Sequence, residues 1–160
     1  VLVALPVAAH WRGFGTEPSD VGANASEMVV ERLDVPPSRD RINLVLKEKS
    51  GARRLVVAVG QLEAGSIVQD ADLGYKLDAQ VTAYSMTRSI ADGLGGKIQR
   101  VVVNDANDRS FFAKVVLATE NREVAVDAAP SDAIALALRA KAPIYADVAV
   151  LNKAGVASGR

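Results

Sequence analysis

The stretch "VDAAPSDAIALALRAKAPIY", residues 126–145, decides the architecture of this chain. Pro130 sets a helical φ, and the N–H it lacks is one that a helix start leaves unused anyway. Ser131 reads as the N-cap. Asp132 then lies in the first turn, where the helix dipole favours a carboxylate. From Ala133 to Leu138 every residue is Ala, Ile or Leu. A helix that is apolar all round must be buried all round. The spacing predicts this helix over 131–142, preceded by the strand "REVAVDA" (122–128). Pro143 stops it, and "PIYADVAVL" (143–151) returns as a final extended segment.

Outward from this stretch the pattern alternates. "MVVERLDV" (28–35) reads as a strand stopped by Pro36-Pro37. In "RINLVLKEK" (41–49), Ile42, Leu44 and Leu46 share one face, a period of two. Ser50-Gly51 supplies a turn into "RRLVVAVG" (53–60). A short helix is predicted over 61–71. A second runs from Ala83 to Leu94, with Thr82 as N-cap, Gly95-Gly96 as its stop, and Met86, Ile90 and Leu94 on one stripe. "KIQRVVVND" (97–105) and "SFFAKVVLAT" (110–119) are hairpin strands joined by "ANDR", where Asp105 and Asp108 suit a turn. Strand runs separated by grouped helices predict an α+β fold: antiparallel-rich β-sheets with three helices.

Residues 1–27 read as an N-terminal extension or linker, 28–156 as the domain, and 157–160 as a frayed end. "VLVALPVAAHW" lacks an initiator Met and a basic n-region, so it reads as a trimmed or processed start. It carries the only His and the only Trp, His10 and Trp11, which we expect to dock on the domain or a partner. No stretch approaches the roughly 20 apolar residues of a membrane span.

Composition narrows the chemistry. The 160 residues contain no Cys, which excludes thiolate zinc sites and cysteine nucleophiles. One His nearly excludes multi-histidine metal sites and the usual Ser-His-Asp triad. Any metal would be held by oxygens, which points to Mg²⁺, Mn²⁺ or Ca²⁺. Basic and acidic residues balance at 19 each. From Met28 onward the count is 18 basic and 16 acidic. That lacks the pronounced basic face of a tight, nonspecific nucleic-acid binder.

The segment at 126–145 resembles the signature of the bifunctional nuclease (BFN) family, an Asp-Ala-Arg-Pro-Ser-Asp-Ala-like turn leading into an Ala/Leu helix and Ala-Pro-Ile-Tyr. "VGQLEAGSI" (59–67), "GLGGKIQRVVVND" (93–105) and "FFAKVVL" (111–117) match further family segments in order. The resemblance implies a compact α+β domain, often oligomeric, that hydrolyses DNA and RNA with divalent metals, and it includes bacterial and organelle-associated plant members. Two departures stand out. Ala129 replaces the Arg before the signature proline. "QVTAYS" (80–85) replaces an Arg-Pro-Leu-Thr-His-Asp run, so Gln80, Tyr84 and Ser85 stand for Arg, His and Asp.

Placed on that family frame, Glu63, Asp127 and Asp132 are the candidate catalytic acids and ligands for Mg²⁺ or Mn²⁺. Each also has a structural reading. Asp132 would complement the helix dipole, Asp127 would tie down the turn, and Glu63 would serve as a dipole complement or pair with Arg53 or Arg54. Arg139, Lys97 and Arg100 are the candidate substrate contacts. A buried Arg139 would otherwise pair with Asp127 or Glu63. Lys97, Arg100 and Lys114 would otherwise be solvated strand charges. Two functions follow. One is a metal-dependent DNA/RNA nuclease, weakened or lost through the altered polar positions. The other is a noncatalytic protein-binding module, a homo-oligomer or a subunit of a larger assembly. The composition is compatible with a chloroplast or other organellar protein as well as a bacterial cytoplasmic one.

Overall fold

A computed structural model describes residues 20–37, 42–71, 73, 82–107 and 110–157. His10, Trp11, Gln80 and Asp108 lie outside the described residues. Strands β1 (Ala25–Asp34), β2 (Ile42–Glu48) and β3 (Arg53–Val59) form one antiparallel meander. Strands β4 (Lys97–Ala106), β5 (Phe111–Ala118) and β6 (Glu123–Ala128) form a second. Between them lies β7 (Ile144–Asp147), antiparallel to β1 and parallel to β4. The short β8 (Val156–Ala157) pairs with β3, giving the order β6-β5-β4-β7-β1-β2-β3-β8. The sheet is thus almost wholly antiparallel, and the fold is α+β as the strand and helix grouping predicts.

The helices are α1 (Gln61–Asp70), α2 (Ala83–Gly93), α3 (Pro130–Ala140) and α4 (Val148–Ala154). One sheet face supplies Ile42, Leu44, Leu46, Leu55, Val57, Val101, Val103 and Val115 to the main core. Ala64 and Ile67 of α1, Ala133–Ala137 of α3, and Val150 and Leu151 of α4 pack onto it. The period-two pattern of β2 is what sends Leu44 and Leu46 inward together. The opposite face carries a smaller cluster of Val21, Val102, Val116 and Ala125, with Tyr145 beside it. There the chain turns tightly at Gly22 (φ +82°), where a Cβ would sit 3.0 Å from Val102 Cγ2.

Among the described residues there are four helices where three are expected. The final extended segment ends at Asp147, and α4 follows it. The run Val148-Ala149-Val150-Leu151 looks extended by composition. Yet Val150 and Leu151 are both buried, and a strand would point these neighbours to opposite faces. With core on one side only, a helix is the conformation that buries both. Lys153 Nζ secures it by donating to Ala106 O at 2.6 Å.

The start of α3 is also corrected. Ala129 occupies the N-cap position, Pro130 opens the helix, and no side chain caps it. Ser131 therefore lies inside the first turn, because the proline ring already preorganises that turn. At the other end Lys141 adopts the left-handed conformation (φ 56°) usually left to glycine. Ala142 N then donates to Ala137 O at 2.9 Å, closing the helix. Strand β1 begins at Ala25, three residues before the expected start.

Ile134 is fully buried in the main core. Ile134→Ala should lower the unfolding free energy by about 2–5 kcal/mol in a urea titration. Leu62→Ala, at a residue 83% exposed, should change it by less than about 0.5 kcal/mol.

Candidate functional site

The first turns of three helices meet at one place. Glu63 lies in the first turn of α1, after the extended N-cap Gly60. Its Oε2 fills the space that a Cβ on Gly60 would need, so the carboxylate folds back toward the helix start, where the dipole favours it. Thr82 caps α2 in a reciprocal box. Ser85 N donates to Thr82 Oγ1 at 3.2 Å, and Thr82 N donates to Ser85 Oγ at 2.8 Å. Ser85 is therefore a capping residue here. Within this first turn lies Tyr84, whose Oη donates to Asp132 Oδ1 at 2.7 Å.

Burial pushes the Tyr84 phenol well above its ordinary value of 10.0, and the bond to Asp132 and the charges of Asp132 and Glu63 push it further. It stays neutral and protonated. A neutral phenol donates one hydrogen bond and carries no positive charge at neutral pH. An imidazole at the same place would titrate near neutrality and could move a proton or bear charge.

Asp127 sits elsewhere. Along β6, Val126 pairs with Val115 of the main core, whereas Asp127 pairs with Lys114. Lys114 in turn pairs with Val102 of the opposite-face cluster. Alternation thus turns Asp127 to the sheet face away from the helices. There Lys114 Nζ holds its Oδ1 at 2.5 Å. The structure brings Glu63 and Asp132 together around Tyr84 and leaves Asp127 on the other side of the sheet.

The cations are engaged as well. Arg139 is paired with Asp70 rather than with Asp127 or Glu63. Nε lies 3.0 Å from Asp70 Oδ2, and Nη2 donates to Gln69 Oε1 at 3.1 Å. The Nε–Oδ2 approach is misaligned for a hydrogen bond, and neither atom has one elsewhere, so the contact is an ion pair held by charge alone. Burial raises the Asp70 carboxyl and Arg139 pulls it back down. Arg100 pairs with Glu123 at 3.2 Å and reaches Val21 O and Gln99. That bond and charge hold Glu123 below the usual carboxylate range despite some desolvation. Lys97 is exposed at the start of β4. Arg53 binds Glu48 and Asn152, and Arg54 binds Glu31, so neither pairs with Glu63.

A shared site for Mg²⁺ or Mn²⁺ on Glu63, Asp127 and Asp132 does not fit this arrangement. Among the described residues, no three His, Asp or Glu side chains are grouped to hold a metal ion. Two partnerships escaped the sequence: Tyr84 with Asp132, and Asp70 with Arg139. Strand parity would have separated Asp127 from Val126, and hence from the helices. Nothing in the sequence signals Asp70.

The model of the bifunctional nuclease domain family matches residues 44–159. Two uncharacterized proteins of Mycobacterium tuberculosis strains are each 32% identical over 130 residues, 81% of this chain and 76% of theirs. Bifunctional nuclease 2 of Oryza sativa subsp. japonica is 25% identical over 128 residues, 78% of this chain and 39% of that protein.

The Tyr84 shift has a pH signature. Below pH 10 the phenol is protonated whether or not the chain is folded, so its contribution to stability is complete there. As pH rises from 10.0 toward the raised folded value, the unfolded chain ionises first and stability is lost. Tyr84→Phe should flatten this alkaline decline in unfolding titrations between pH 9 and pH 11, values chosen about the ordinary phenol range. An unchanged decline would mean that the phenol is not held neutral.

Proposed function

The chain belongs to the bifunctional nuclease domain family, and from that premise we propose that it is a noncatalytic protein-binding module, working in a homo-oligomer or as a subunit of a larger assembly. One observation carries this reading. The acids that would share a metal lie on opposite sides of the sheet, and the one on the helix side is hydrogen-bonded to a neutral tyrosine. Phosphodiester cleavage needs cationic stabilisation of the transferring phosphate and an activated water. Tyr84 and Ala129 stand where the family pattern places His and Arg, and Arg139 and Arg100 are already in ion pairs. Losing one electrostatic donor typically costs about 3 kcal/mol, a hundredfold or more in rate. Two such losses would leave little catalysis.

A second reading has one observation in its favour. Glu63 and Asp132 both act on Tyr84, and magnesium is often held by one or two carboxylates together with substrate phosphates. In that reading a weak metal-dependent hydrolysis of DNA and RNA survives on this pair, with Asp127 uninvolved.

Incubation of the purified chain with labelled single- and double-stranded DNA and RNA, with Mg²⁺ or Mn²⁺, separates the two. The expected outcome is no cleavage above the protein-free control. Metal-dependent cleavage that disappears in Asp132→Ala or Glu63→Gln would overturn the noncatalytic reading.

A further inference from the structure

A cavity of about 350 Å³ opens at the C-terminal ends of α1 and α3, a volume within the range of small-ligand sites. Glu63 and Asp132 lie in the first turns of the same helices, so the cavity is at the opposite end from them. The shortness of β7 leaves room for it. Strand β7 pairs with β1 only from Ala25 to Met28, so from Val29 onward that side of β1 has no strand beside it among the described residues. Four consecutive residues of β1, Glu27 to Val30, line the cavity. Alternate side chains of a strand point to opposite faces, so what these four share is the strand's edge. Another wall is formed where the chain leaves α3 for β7, at Ala142, Pro143 and Ile144. Met28, Val30, Leu138 and Ile144 make much of the lining aliphatic.

The polar character of the cavity is mostly accepting. Asp70, the last residue of α1, and Ala71, its C-cap, both line it. A helix ends in unused carbonyls and the negative pole of its dipole, and the last turn of α1 holds no basic residue to offset them. Asp70 Oδ2 lies against Arg139 Nε, yet neither atom has a hydrogen bond. Among the described residues none donates to Oδ1 either, and Arg139 alone counters the upward push of burial on this carboxyl. Arg139 is not part of the lining, and among the described residues no Lys, Arg or His is. The cavity therefore meets Asp70 and not its counter-charge. The other acid, Glu27, is paired with Lys49 at 2.9 Å. The wall from α3 offers no donor, because Ala142 N is bonded to Ala137 O and Pro143 has no N–H.

We propose that this cavity binds an alkylammonium or alkylguanidinium group, the chemistry of a lysine or arginine side chain and of small aliphatic amines. The aliphatic lining takes the stem. The cationic head lies at the end of α1 and donates to Asp70 the hydrogen bond that its carboxylate lacks. The open edge of β1 supplies backbone groups beside the head for a ligand that carries an amide of its own. Tyr84, Glu63 and Asp132 take no part, so the site stands apart from the question of catalysis.

The test is a titration of the full nitrogen-labelled chain with pentylamine, with N-acetyl-lysine methylamide and, as the neutral match, with n-pentanol, followed through the amide shifts of Val29, Val30, Ala71 and Ile144. Both amines should shift these amides with dissociation constants on the order of millimolar, as suits ligands of so few atoms, and n-pentanol should not. Asp70→Asn should weaken amine binding by about tenfold or more. Ala142→Leu, whose added carbons would occupy the cavity and leave Asp70 and Arg139 in place, should abolish it, and this variant carries the test if Asp70→Asn does not fold. Tighter binding of the lysine amide supports a partner's side chain as the occupant, and tighter binding of pentylamine supports a free amine. Absence of amine shifts at these amides, n-pentanol binding as well as pentylamine, or amine binding unchanged in the variants overturns the proposal.

Discussion

Burial of α3 is the constraint on which the rest of this domain depends. Ala133 through Ala137 are all buried, so the helix needs cover on every side. The sheet provides one wall, and α1 and α2 provide flanks. Small alanines let these neighbours approach closely, and Ile134 fills the space between them. Once α3 is seated, its exit through Lys141 and Pro143 delivers β7 between β1 and β4. The two meanders are joined into one sheet through that strand alone. Each ends in helix, so the molecule has two similar halves closed around a central strand.

The two faces of the sheet divide the labour. The helix face is dry and aliphatic, and it places three helix starts close together. The other face is dominated by ion pairs: Lys49 with Glu27, Arg54 with Glu31, Arg100 with Glu123 and Lys114 with Asp127. An antiparallel sheet tolerates a solvated face of this kind. Its consequence is electrostatic. Each of these cations is matched by a nearby carboxylate, so the near-zero net charge is spread locally as well as globally. A phosphate backbone would have to displace acids from such a surface.

Much of the architecture was legible because burial imposes periodicity. The alternation in β2, the turn at Gly51 and the all-apolar centre of α3 each had one reading. The misses share a cause, which is that local chemistry did not decide the outcome. Val148–Leu151 has the composition of a strand, but the one-sided core needs Val150 and Leu151 facing inward together. Ser131 has the chemistry of a cap, but Pro130 had already set the turn. The stripe of Met86, Ile90 and Leu94 was visible, yet periodicity cannot say whether a stripe faces the core or another molecule. For the candidate site, residue identities were legible and their partners were not. Asp127 and Asp132 are close in sequence, and a single strand-to-helix junction turns them to different faces.

The fold and the chemistry of this family member can therefore vary independently. Pro130, the Ala/Leu helix and the Gly95 turn of α2 serve packing, and their retention preserves the scaffold whatever the cleft does. Polar residues at the helix starts are under a weaker structural demand, since a dipole complement or a cap can be built in several ways. Thr82 and Ser85 make a complete capping box, and Tyr84 satisfies Asp132 without a charge. Substitution there costs the fold little, because a cap or a dipole complement can be supplied by another side chain. The hydrogen-bonding demand at these helix starts is thus met largely within the chain, by the Thr82–Ser85 box and the Tyr84–Asp132 bond.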